Sequence, residues 1–135
     1  MSLIQWDNSL SVKVIQIDRQ HKQLVAMIND LNEAMHQGKG KDVLGQIIKE
    51  LIRYAAIHFS TEEKYFDLYR YPETANHKKE HSDFIKKVNT FKDGFEAGTL
   101  GLSIQVIHFL SDWLQKHIKG TDKQYGPFFN EKGLK

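Results

Sequence analysis

Four long segments in which apolar residues recur at steps of three and four are the feature that most restricts how this chain can fold. That spacing lines up apolar side chains along one face of an α-helix. The segments are separated by residues that favour turns, namely Gly38, Gly40, Pro72, Gly98 and Gly101. We find no period-two alternation that would indicate a β-strand. The pattern therefore predicts an all-α fold.

Short connections between the predicted helices make consecutive helices antiparallel neighbours. The helices are predicted over residues 18–37, 42–68, 72–97 and 101–119, with Asp18 capping the first. Residues 1–12 are predicted to form an extended arm whose Trp6 packs onto the bundle. We thus expect residues 1–135 to form a single domain, an up-down-up-down antiparallel four-helix bundle with an extended N-terminal arm.

Composition excludes several classes of function. The absence of cysteine excludes disulfides, iron–sulfur clusters and thiolate zinc sites. The 19 basic and 17 acidic residues are interspersed, and a net charge of +2 does not favour binding to nucleic acid or lipid. No apolar run approaches the roughly 20 residues of a membrane span, and the first residues do not resemble a signal peptide. We expect a cytoplasmic protein and, with no obvious subunit seam, a monomer.

Histidine interrupts the apolar face of every predicted helix, and glutamate interrupts one of them. In chain order, the predicted core positions are Val14, Ile17, His21, Leu24, Ile28, Leu31, Met35, Leu44, Ile48, Leu51, Ala55, His58, Glu62, Phe66, His77, His81, Phe84, Val88, Phe91, Phe95, Ile107, Leu110, Leu114 and His117. A buried polar group costs on the order of several kcal/mol unless it has a partner. Interruptions on all four helices therefore need a common cause.

The depth of these histidines supplies that cause. His21 and His81 each lie 17 residues before the glycine that ends their helix, and His58 and His117 each lie 16 residues after the start of theirs. At about 1.5 Å per residue, all four lie roughly 25 Å from the shared end of the bundle. Together with His77, they would place five imidazoles at one level of the core, an arrangement that predicts a metal site.

The spacing of the donors agrees with this prediction. Two pairs lie four residues apart and share a helix face: His58 with Glu62, and His77 with His81. Five histidines and two carboxylates are too many ligands for one tetrahedral zinc ion and suit two six-coordinate ions that share bridging carboxylates. Imidazole favours iron, copper, zinc or nickel, so this pattern leaves the element open.

The last carboxylate, Asp122, lies five residues after His117, a spacing that a regular α-helix does not align. Gly120 lies between them. We expect the helix to widen or to end there, so that Asp122 turns back toward the core.

Four motifs resemble those of the hemerythrin family, and within it the single-domain bacterial members, the bacteriohemerythrins. They are IDRQHK at 17–22, HFSTEE at 58–63, HKKEH at 77–81 and WLQKHIKGTD at 113–122. They span nearly the whole chain in the family's order. Each motif alone would be weak evidence, but the four together are highly specific.

The resemblance implies a non-haem centre of two iron ions per chain that binds O2 reversibly. It implies seven protein ligands, namely His21, His58, Glu62, His77, His81, His117 and Asp122. The histidines at 77, 81 and 117 would complete one iron, and those at 21 and 58 would leave an open position for O2 on the other. The two carboxylates would bridge both ions together with a solvent-derived oxo or hydroxo group.

By position, four apolar residues resemble the family's oxygen-pocket residues: Phe59, Trp113, Leu114 and Ile118. Ordinary core packing explains each of them equally well. Leu114, one turn before His117, is the best single choice for a residue that touches the ligand. Glu63, Glu80 and Tyr125 are either outer partners of the ligands or surface groups, and neither His36 nor His108 is assigned to the metal.

Several functions remain in competition. A non-enzymatic oxygen carrier or store would hold O2 for an oxygen-using enzyme. A di-iron oxidase or peroxidase-like enzyme usually has more carboxylate ligands than this chain offers. An oxygen or redox sensor of this family usually carries an attached output domain. A helical bundle without metal does not explain polar residues at one depth on four helices.

Overall fold

Four rods of helix pack side by side in the computed structural model, which describes residues 3–135. They comprise α1 (Ile15–His36), α2 (Gly40–Tyr69), α3 (Thr74–Glu96) and a composite fourth rod of α4 (Leu102–Trp113), a π-helical segment (Leu114–Asp122) and α5 (Lys123–Glu131). Both α1 and α3 pack against α2 and α4, so each helix has two neighbours around the bundle. The predicted all-α four-helix bundle is confirmed.

The turns at one end of the bundle depend on glycine. Gly38 and Gly98 have φ angles of +73° and +74°, in the left-handed region that side chains disfavour. At the first turn, the backbone N–H of Lys39 donates to the carbonyl of Ala34, and the second turn repeats this bond. These bonds satisfy helix-end carbonyls and reverse the chain direction, which makes consecutive helices antiparallel.

The predicted start of the first helix at Asp18 is wrong, because α1 begins at Ile15. Asp18 is not a cap but lies in the first turn. Its carboxylate accepts hydrogen bonds from the hydroxyl of Ser11, at 2.6 Å, and from the backbone N–H of Val12, at 2.8 Å. The acidic side chain therefore fastens the N-terminal arm to the helix.

The N-terminal arm is not extended throughout, since a short 3₁₀ helix interrupts it at Asn8–Leu10. Leu10 and Val12 are buried, and Trp6 is half-buried against the bundle core, as predicted. The ammonium group of Lys22 lies 5.2 Å from the centre of the Trp6 ring. Residues 1–2 of the predicted arm lie outside the described residues.

The fourth helix does not end at residue 119 as predicted but continues to Glu131. It widens into the π-helical segment, where hydrogen bonds span five residues, so His117 and Asp122 come to share one face. The expected widening is present, but the structure shows no need for glycine at position 120. This glycine has no left-handed φ, and a Cβ atom there would meet nothing within 4 Å.

The predicted core positions are buried, with two exceptions near the turns of the bundle. Met35 is half-buried, and Phe95 is 38% exposed. Phe95 lies across the surface of α2 at Gly45, where a Cβ atom would come within 2.8 Å of its ring. Its ring covers that glycine instead of entering the core. Within residues 3–135, no helix combines the length and apolar character needed to cross a membrane.

We predict that Gly126→Ala destabilises the protein by roughly 1–3 kcal/mol, as is usual when atoms are forced into a packed site. A Cβ atom there would lie 2.6 Å from the backbone carbonyl oxygen of Val12, so the arm would have to move. Urea unfolding followed by circular dichroism measures the change. Gly120→Ala is the matched control and should be neutral or stabilising. Equal stability of the two variants would contradict the close packing of the arm.

Candidate metal centre

Seven ionisable side chains meet in the interior at the level predicted from the sequence. Each is at most 2% exposed: His21, His58, Glu62, His77, His81, His117 and Asp122. Their donor atoms form two groups that share Glu62, and within each group all donor atoms lie within 4.8 Å of one another. All seven predicted ligand residues therefore lie together, and they come from all four helical rods.

The first group contains three histidines and Glu62. His77 and His117 direct Nε2 toward Oδ1 of Asp122, at 2.7 and 2.9 Å. His81 places Nε2 3.0 Å from Oε1 of Glu62. The π-helical widening is what allows the fourth rod to supply both His117 and Asp122 to one place.

The second group contains two histidines and both carboxylates. The Nε2 atoms of His21 and His58 face each other at 3.1 Å. His21 lies 3.1 Å from Oδ2 of Asp122, and His58 lies 3.1 Å from Oε1 of Glu62. Asp122 thus turns one oxygen toward each group, and Oε1 of Glu62 lies beside a histidine of each.

Many of these close atoms have no hydrogen-bond partner among residues 3–135. They include Nε2 of His77, His81 and His117, Oε1 of Glu62 and both carboxylate oxygens of Asp122. Buried donors and acceptors left in this state would be costly. Imidazole nitrogens and carboxylate oxygens converging in this way fit metal ions placed between them.

Three histidines are oriented by an outer partner on their other nitrogen. Nδ1–H of His58 donates to the side-chain carbonyl of Gln20 at 2.6 Å. Nδ1–H of His81 donates to the carboxylate of Glu63 at 2.8 Å. Nδ1–H of His117 donates to the carboxylate of Glu80, also at 2.8 Å, and the hydroxyl of Thr121 donates to the same carboxylate. A proton fixed on Nδ1 directs Nε2 toward the centre, so that Nε2 is the atom that ligates a metal once it carries no proton.

Aromatic rings cover the histidines of the first group. Phe59 stacks on His81, with ring centres 3.8 Å apart, and Trp113 stacks on His117 at 3.9 Å. Leu114 and Ile118, at most 1% exposed, belong to the same apolar core as Phe59, whereas Trp113 is half-buried against it. The four predicted oxygen-pocket residues therefore adjoin the centre or its apolar surroundings, and their contact with a ligand stays a prediction.

Tyr125, whose role the sequence left open, is fully buried and donates a hydrogen bond to Oε2 of Glu62. Glu63 and Glu80 are outer partners and not merely surface groups. Sequence reasoning assigned no role to Gln20 or Tyr54, which contact His58 by hydrogen bond and by ring stacking. Their positions carried a signal, since Gln20 directly precedes His21 and Tyr54 lies one turn before His58. His36 and His108 are exposed and lie in neither group.

Without a metal, the two carboxylates dominate the electrostatics of the centre. Burial disfavours a charged His117, but the negative charge of Asp122 outweighs it and, with the hydrogen bond to Glu80, raises the pKa of His117 to about 10. Burial likewise opposes ionisation of Asp122, yet His117 and two other histidines hold its pKa well below the usual range. Burial lowers the pKa of His58, which keeps that imidazole neutral.

Comparison with known proteins places this centre in context. The model of the hemerythrin HHE cation-binding domain matches residues 12–129. The chain belongs to the hemerythrin family. It is 34% identical to a bacteriohemerythrin of Stenotrophomonas maltophilia and 35% identical to one of Pseudomonas aeruginosa, each over 93% of this chain and 80% of the relative. A solved wild-type hemerythrin structure superposes with a TM-score of 0.83 at 31% identity, covering 93% of this chain and 97% of the other.

Family membership and the buried donor groups together indicate a non-haem metal centre. The resemblance drawn from the four motifs is thereby confirmed.

We predict that His58→Ala or His81→Ala weakens metal binding by more than about tenfold, because loss of an outer partner alone typically costs about 10–100-fold. Both variants should also melt at a lower temperature than wild type when iron is supplied, since metal binding is linked to folding. Metal analysis after desalting and thermal melting measure the two effects. His36→Ala, at an exposed position, is the control and should match wild type. Full iron content in either core variant would contradict the ligand assignment.

We predict that apparent metal affinity rises with pH between neutral pH and about 10. In the metal-free protein His117 carries a proton throughout that range, because its pKa is raised to about 10, and a metal must displace this proton to bind. Affinity should rise about tenfold per pH unit for each proton released. Competition with a coloured chelator measures this.

The control for this prediction is Glu80→Gln, which removes one interaction that raises the pKa of His117. Its affinity should level off at a lower pH than that of wild type. Affinity that does not change with pH in the wild-type protein would contradict the electrostatic account.

Proposed function

We propose that this protein binds O2 reversibly at a centre of two iron ions and so stores oxygen or delivers it to an oxygen-using enzyme. The observation that carries the proposal is the inequality of the two donor groups. The first group has three histidines and the second has two. Both carboxylates lie within 3.1 Å of histidines of both groups, so they are available to an ion in either group. An ion in the second group therefore has fewer protein ligands and room for a small exogenous ligand.

The carboxylates are placed to act as bridges. Asp122 directs Oδ1 toward the histidines of the first group and Oδ2 toward His21 of the second. Glu62 brings Oε1 within 3.1 Å of His58 and 3.0 Å of His81. We propose that both bridge the two ions, together with a solvent-derived oxo or hydroxo group. Tyr125 fixes the remaining oxygen of Glu62 by its hydrogen bond.

When bound, a pair of Fe(II) ions supplies the two electrons that reversible O2 binding requires. The protein's part is to exclude water and to limit proton supply at this place. Phe59 and Trp113 close the first group with stacked rings, and Leu114 and Ile118 add apolar side chains to the surrounding core. Phe59 also contacts His58 of the second group, with ring centres 5.7 Å apart. We propose that these four residues keep water from the centre as a whole, including the oxygen site at the second group.

The donor set favours a carrier over an enzyme. Oxidases built on di-iron centres usually rely on more carboxylate ligands, whereas here five histidines accompany two carboxylates. Neutral imidazoles leave more positive charge on the ions than further carboxylates would. We therefore propose a non-enzymatic carrier, with an oxidase as the alternative that the following experiment excludes and an oxygen or redox sensor as a further alternative. In line with the expectations from the sequence, we also propose that the protein is cytoplasmic and monomeric.

The proposal is tested by cycling the iron-loaded protein between anaerobic buffer and air while recording its optical spectrum. A carrier takes up one O2 per pair of irons and returns to its starting spectrum when oxygen is removed. An oxidase would consume added reductant continuously in air, and that result would contradict the proposal. His21→Ala should abolish the reversible change, because it removes one of the two histidines of the second group. His108→Ala is the exposed control.

A further inference from the structure

The hydroxyl of Tyr54 is buried without a hydrogen-bond partner in the part of the chain that the structure describes. The residue is 5% exposed, and its hydroxyl oxygen is inaccessible to solvent. A buried hydroxyl without a partner is costly, and phenylalanine would supply the same ring without that cost. The hydroxyl is therefore expected to find its partner in something other than the protein.

Tyr54 covers the second donor group as Phe59 and Trp113 cover the first. It lies one helical turn before His58, and the two rings stack with centres 5.1 Å apart and planes 17° from parallel. Both residues lie on one face of α2, so the Tyr54 ring adjoins the donor group to which His58 belongs. The ring that carries a hydroxyl is thus on the side with fewer ligands.

The chemistry of the side chain agrees with this placement. A tyrosine hydroxyl titrates only near pH 10 in its ordinary state, about three units above neutral pH, so it is a hydrogen-bond donor at neutral pH.

We propose that Tyr54 donates a hydrogen bond to the exogenous ligand bound at the second metal. The inference rests on the proposed function and adds a residue that recognises the ligand. Such a hydrogen bond favours small ligands that have an acceptor atom on the side away from the metal, such as bound O2 or a linear anion of the azide type. The buried hydroxyl beside the first group, that of Tyr125, already donates to Glu62 and is not free for such a ligand.

The test compares Tyr54→Phe with wild type in an azide titration of the air-oxidised, iron-loaded protein. Loss of one hydrogen bond to a charged ligand should raise the azide dissociation constant about tenfold. Tyr65→Phe is the matched control, since its hydroxyl contacts Gln16 at the surface, and its azide affinity should equal that of wild type. Wild-type affinity in Tyr54→Phe would overturn the proposal.

A second measurement needs no metal. The metal-free Tyr54→Phe protein should melt at the wild-type temperature or above it, because no internal hydrogen bond is lost. Tyr125→Phe should melt lower, because it loses its bond to Glu62. If Tyr54→Phe falls as far as Tyr125→Phe, the hydroxyl has a partner within the protein and the proposal fails.

These outcomes also separate this inference from the proposed function. A wild-type protein that holds no iron, or that binds no O2, would overturn both. A wild-type protein that binds O2 and azide, beside a Tyr54→Phe protein that binds them equally well, would overturn only the role of Tyr54. If the Tyr54→Phe protein loses its iron, the hydroxyl helps to hold the metal itself. That result would contradict a role toward the exogenous ligand.

Discussion

Seven ionisable side chains buried at one level of a helical core are the constraint on which the rest of the structure depends. Five imidazoles and two carboxylates are removed from water there, and several of their atoms have no hydrogen-bond partner within residues 3–135. Burial of such groups is tolerated when a strong partner compensates for lost hydration. Metal ions between the donors satisfy nitrogen lone pairs and carboxylate charge together. The apolar remainder of each helix then only has to hold the donors at a common height.

A common height in the bundle is not sufficient for metal binding, because each imidazole ring must also direct Nε2 toward the centre. The outer hydrogen bonds provide this orientation. Glu63 and Glu80 fix the rings of His81 and His117 in the first group, whereas the neutral amide of Gln20 fixes His58 in the second. A carboxylate partner makes an imidazole a stronger donor than an amide partner does. The two donor groups therefore differ in the strength of their imidazole donors as well as in the number of histidines.

Much of this arrangement follows from the sequence, since helical periodicity and equal depth both depend only on the regular rise of the α-helix. The bundle and the meeting of the seven donors were predictable for that reason. Departures from regular geometry were not: the π-helical stretch at Leu114–Asp122 lets the fourth rod continue to Glu131, where the spacing suggested an end. Phe95 matches the helical pattern but covers Gly45 at the surface, which only the packing reveals. That the Tyr54 hydroxyl has no hydrogen-bond partner among residues 3–135 could be seen only from the positions of the surrounding atoms.

The claim that two metal ions occupy the two donor groups is tested most directly by anomalous X-ray scattering at the iron edge from crystals of the iron-loaded protein. Two peaks are expected within the bundle, one beside His77, His81 and His117 and the other beside His21 and His58, with Glu62 and Asp122 between them. A single peak, or no peak among these side chains, would contradict it.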